Sequence, residues 1–91
     1  MAFVGGSAWK MAEDITEGYV LLNTTTLKAF EMTDLRTLMQ ELEKLQRSIR
    51  GGEMNLNDME AVKLRNRKIQ RIGQAQMVMR AHAMKKWRVA I

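Results

Sequence analysis

The chain has no cysteine and no proline among its 91 residues, one histidine, and only two tryptophans, two phenylalanines and one tyrosine. Each shortage excludes something. Without cysteine there is no disulfide staple, no thiolate zinc site and no thiol nucleophile. Without proline, only glycine is left to interrupt a helix. A lone histidine, His82, cannot build a metal site by itself. No apolar run approaches the roughly 18–20 residues that cross a bilayer, so no membrane partner is expected. Residues 1–10 lack the early basic region and long apolar stretch of a secretory signal. Ala2 stands where myristoylation needs glycine. The Asn23-Thr24-Thr25 sequon is idle without export. The expected location is the cytoplasm, or a virion assembled in a host cytoplasm.

What is present suits a small folded domain: 46% hydrophobic residues, 27% charged and a net charge of +5. A chain this short buries only about 60–65% of its unfolded surface, so its core is marginal. The charge is unevenly spread. Residues 1–34 set Lys10 and Lys28 against Glu13, Asp14, Glu17, Glu31 and Asp34, whereas residues 59–91 hold nine basic side chains against Glu60 alone. Basicity confined to one segment points to a polyanion or an acidic protein surface.

The expected fold is mainly α, an antiparallel helical hairpin of helices at about 33–50 and 58–88 behind a weakly structured N-terminal arm. Residues 1–18 form that arm, or at most one helical turn, and residues 19–91 a single hairpin domain. In residues 19–32 Val20 and Leu22, then Leu27 and Ala29, suit two short strands turning at Asn23-Thr24-Thr25. A helix continuing from residue 12 is the competing reading.

Leu35, Leu38, Leu42, Leu45 and Ile49 recur at spacings of three and four, an a/d seam over two heptads. Thr33 or Asp34 suits its start, and Gly51-Gly52 its end by a left-handed closure. Asn55, Asn57 and Asp58 supply a second set of caps. Beyond them Val62, Ile69, Ile72, Met79, Ala83, Met84 and Trp87 project to one side, and Lys63, Arg67, Lys68, Arg71, Lys85, Lys86 and Arg88 to the other. At 1.5 Å per residue the second helix is about 46 Å long and the first about 27 Å. Some 20 Å of apolar stripe therefore overhangs, and a second chain is expected to help cover it.

No catalytic constellation can be assembled, so the protein is not expected to be an enzyme or to hold a cofactor or metal. Glu41 and Glu43 read as solvated carboxylates, Glu13, Asp14 and Glu17 make a poor chelate, and Gly5-Gly6-Ser7 lacks the lysine of a phosphate loop. The seven-cation face exceeds ordinary surface decoration and suits non-sequence-specific contact with DNA, or an acidic partner. The nine methionines read as core before they read as an adaptable groove. Trp87 suits equally a partner anchor and a cap on the hairpin end. Gln76 and Arg80 project near the middle of the apolar side, where polar groups fix register in helical assemblies.

The stretch Phe30-Glu31-Met32-Thr33-Asp34-Leu35-Arg36-Thr37-Leu38-Met39-Gln40-Glu41-Leu42-Glu43-Lys44 resembles part of the small head–tail joining proteins of lambda-type tailed phages. In that family a short hairpin leads into an Asp-Leu-x-x-Leu helix followed by a Glu-Leu-Glu-like repeat. The likeness covers residues 19–45; the family's first helix is not evident in residues 1–18, and the long basic helix is an addition. The resemblance implies a virion connector subunit that assembles as a ring near packaged DNA. The expected function is accordingly a non-catalytic assembly or adaptor protein, self-associated or built in with other subunits. Association would use Leu35, Leu38, Leu42, Leu45, Ile49, Ile69, Ile72, Gln76, Met79, Arg80 and Trp87. The alternative is a free-standing nucleic-acid-binding regulator.

Overall fold

Helical structure begins earlier than the patterning suggests. In the computed structural model, which describes residues 7–52 and 57–89, helix α1 runs Ala8–Glu17 and takes the place of the expected arm. Met11, Ala12, Ile15 and Thr16 recur at helical spacing and are buried. The Thr16 hydroxyl donates to the Ala12 carbonyl at 2.8 Å, which removes the penalty for burying it. Gly18 ends α1 with φ at +87°. Its N–H donates to the Ile15 carbonyl (3.1 Å) and that of Tyr19 to Asp14 (2.8 Å), the two-bond closure that requires a left-handed residue.

No strand forms among the described residues, so the hairpin expected in residues 19–32 is corrected to a short helix, α2 (Thr24–Leu27). The reason is Asn23. Its Oδ1 accepts the Thr26 N–H at 2.9 Å and the Thr26 hydroxyl at 3.2 Å, a helix cap where a turn was expected. Leu22, Leu27 and Phe30 around it are buried.

The other two helices fall near the expected positions, α3 at Met32–Gly51 and α4 at Met59–Trp87. Asp34 Oδ2 accepts the Glu31 N–H at 3.1 Å at the start of α3, and Asp58 Oδ1 accepts the Ala61 N–H at 3.1 Å at the start of α4. Gly5, Gly6 and Asn55 lie outside the described residues. Gly52 is extended (φ −71°), so the expected left-handed closure of α3 does not occur there. Helix α4 does end that way, on Arg88 with φ at 55°.

Helix α1 packs on both α3 and α4, α3 packs on α4, and α2 packs on α4. Their shared core holds Met11, Ile15, Leu27, Phe30, Leu35, Leu38, Leu42, Ile72 and Met79. The 45 Å long axis of the molecule matches α4, about 43 Å at 1.5 Å per residue. The overhang is thus covered in part from within: Met79 and Ala83 are fully buried in a core shared with residues 8–30 of the same chain, while Met77 and Met84 stay exposed. The buried stripe of α4 is also rotated from the expected one. It consists of Ile72, Ala75, Gln76, Met79 and Ala83, while Met84 is 52% exposed.

Candidate functional site

The seven basic side chains assigned to one face of α4 divide by position around the helix. Those on its flanks are used inside the fold. Lys68 pairs with Glu17 at 3.2 Å, Arg71 donates to the Thr16 carbonyl at 3.1 Å, and Lys86 donates to the Lys28 carbonyl at 3.3 Å. The Lys86 ammonium also lies 5.1 Å from the centre of the Trp87 ring. Arg65, which the sequence did not single out, reaches the Ile49 carbonyl at 3.5 Å and ties α4 to the end of α3. A free carbonyl at a helix end attracts a cation, so the last turns of α1 and α3 are the natural targets of these side chains.

Lys63, Arg67, Lys85 and Arg88 behave differently. All four are exposed, and none of their side chains pairs with or hydrogen-bonds another described residue. At 100° per residue Lys63, Arg67 and Lys85 fall within about 40° of one another, with Arg88 beside them at the helix end. Gln70, Gln74, Met77 and Ala81 lie between the two pairs on the same exposed face. The face is therefore cationic at both ends and neutral in the middle, with the exposed Glu60 one turn before Lys63 on the same side. Glu60 is the only acid on α4.

The residues expected to associate are mostly spent on the chain's own core. Leu35, Leu38, Leu42, Ile72 and Met79 are fully buried, and Gln76 nearly so. Leu45, Ile49 and Trp87 pack half-buried against that core, and Ile69 is half-buried too. Arg80 is exposed, which corrects its expected burial: it sits about 100° beyond Met79 and turns to solvent. Large apolar side chains left exposed are Trp9, Tyr19, Leu21, Met59, Leu64, Met77 and Met84. Tyr19 and Leu21 follow directly on α1, and no periodic signal marked them.

His82 titrates away from its ordinary value. Its Nε2 is buried without a hydrogen-bond partner among the described residues, and its ring meets the Trp87 ring edge-on at 5.6 Å between centres. Burial lowers its pKa below the ordinary 6.5, and the Lys86 charge adds to the effect. A cleft of about 340 Å³ between α1 and α4 is walled by Ile15, Val20, Leu22, Ala75 and Val78, with Arg71 and Gln74 at its edge. A second, of about 300 Å³, has Glu13, Thr16, Glu17 and Lys68 on its walls. In the second, the Thr16 hydroxyl is committed to the Ala12 carbonyl.

Among the described residues no group of three or more His, Asp or Glu side chains is placed to hold a metal ion, and no helix is long and apolar enough to cross a membrane. Scans against protein-family models, curated proteins and solved structures each returned no match.

Proposed function

We propose that this chain is a non-catalytic assembly or adaptor protein that presents the outer face of α4 to DNA or to an acidic partner subunit. The observation that carries the reading is the division of labour among the cations. Lys68, Arg71 and Lys86 are consumed by in-chain acceptors, whereas Lys63, Arg67, Lys85 and Arg88 project outward without one. Uncompensated like charges on one helix face repel, and a polyanion relieves that repulsion. The likeness of residues 19–45 to head–tail joining proteins supplies a setting, a virion component close to packaged DNA. Helix α1 precedes that stretch, and α2 departs from the hairpin that the likeness implied. Self-association, or co-assembly with other subunits, would draw on the exposed Met59, Leu64 and Met84.

Light scattering after size exclusion, with and without duplex DNA and across a dilution series, tests the reading. The expected results are a mass above the 10.5 kDa of one chain and a complex with DNA at low salt. A monomer that binds DNA supports the second reading, a small nucleic-acid-binding regulator, which the net charge of +5 favours. A monomer that ignores both DNA and acidic proteins refutes both.

A further inference from the structure

The outer face of α4 has a length as well as a charge. The Lys63/Arg67 pair and the Lys85/Arg88 pair are centred 21 to 22 positions apart in the chain, about 32 Å along a helix rising 1.5 Å per residue. One turn of duplex DNA advances roughly 34–36 Å. Phosphates of one strand separated by a full turn face the same side of the duplex, so a straight rod lying along it meets the backbone at that interval. Proline, which would kink such a rod, is absent, and α4 continues unbroken over its 29 residues.

Resting on the function proposed above, the geometry points to B-form duplex DNA as the ligand, gripped at two places one helical turn apart by the two ends of α4. The neutral stretch Gln70, Gln74, Met77 and Ala81 then lies over the two grooves and the intervening backbone of the other strand. It carries no arginine or asparagine, and only Gln70 and Gln74 have the paired donor and acceptor that match an adenine edge, so positioning falls to the four cations at its ends. An acidic protein would impose no such spacing. A second copy is disfavoured as occupant because it offers a face of the same sign.

Closed DNA hairpins with stems of about 6 and 16 base pairs separate the possibilities, with fluorescence anisotropy read between about 50 and 200 mM salt. Only the longer stem offers both contacts. Each phosphate neutralised contributes about 0.9 to the log–log salt slope, so four give about 3.6 on the long stem and two about 1.8 on the short one. Over that salt range binding weakens about 150-fold on the long stem and about 12-fold on the short. The variants Lys63→Gln/Arg67→Gln and Lys85→Gln/Arg88→Gln each bring the long-stem slope to about 1.8, and each changes short-stem affinity only about twofold. Glutamine keeps helix propensity close to that of the cations it replaces, and circular dichroism verifies the fold. Arg36→Gln/Arg47→Gln, which removes equal charge from exposed positions of α3, leaves both slopes unchanged. Equal slopes on the two stems, or a slope lowered as much by the α3 variant, overturn the two-ended grip and leave polyanion binding standing. Absence of binding to either stem at low salt overturns the DNA reading with it.

Discussion

Gly18→Ala tests the tightest junction of the fold. The residue closes α1 with φ at +87°, and a Cβ added there would sit 3.0 Å from Arg71 Cζ and 3.2 Å from its Nε and Nη2. Two penalties combine. Placing a side chain in the left-handed region costs roughly 1–2 kcal/mol. The guanidinium must also retreat by a few tenths of an ångström, which stretches its 3.1 Å bond to the Thr16 carbonyl. That bond has a charged donor but is only partly buried, so about 1 kcal/mol is the appropriate loss. The sum is about 2–3 kcal/mol. Repeating the substitution in an Arg71→Ala background removes the clash and leaves only the backbone part, about 1–2 kcal/mol. Urea unfolding followed by far-ultraviolet circular dichroism measures all four corners of the cycle. An identical cost in both backgrounds means Arg71 is not seated over Gly18. A cost under about 0.5 kcal/mol means the left-handed closure is absent.

Met79→Ala should destabilise by about 2–4 kcal/mol and Met84→Ala by no more than about 1, because the first is fully buried and the second 52% exposed; equal losses in urea unfolding would refute the rotation of the α4 stripe. His82 has a folded-state pKa below 6.5, so between the two values the unfolded chain binds the extra proton. Its contribution is complete above about pH 6.5 and declines as the pH falls through that value toward the folded pKa. Comparing urea midpoints at about pH 7.5 and 5.5, His82→Phe should flatten this drop; an undiminished drop in the variant assigns it to other groups. Asp58→Ala should cost about 1 kcal/mol through loss of its bond to the Ala61 N–H, read as a lower urea midpoint, and an unchanged midpoint would show the cap to be idle.

The mainly helical class and the positions of α3 and α4 were legible because Leu35, Leu38 and Leu42 repeat at a clean period and Asp58 caps a long uninterrupted run. Helix α1 was not. Its buried set Met11, Ala12, Ile15 and Thr16 includes an alanine and a hydroxyl, and the hydroxyl counts as polar until its bond to the Ala12 carbonyl is seen. Asn23 misled for a related reason, since one side-chain oxygen serves a turn or a helix cap with equal chemistry. The rotation of α4 depends on where α1 and α2 sit, which no periodicity within α4 specifies. The candidate site was legible as a charge asymmetry only. Its division into inward and outward cations required knowing that the carbonyls of Thr16, Lys28 and Ile49 lie within reach of Arg71, Lys86 and Arg65.

Arg88 occupies the left-handed position at the end of α4, where a glycine would be relaxed. Replacing it by glycine relieves roughly 1–2 kcal/mol of backbone strain and returns part of that as extra freedom of the unfolded chain, for a net gain of about 0.5–1 kcal/mol. The same change deletes one of the unpaired cations on the outer face of α4. On the proposed reading of that face, selection for heat resistance and selection for partner capture pull against each other at this single codon. A thermostability screen of this protein should enrich Arg88→Gly, and a binding screen of the same library should discard it.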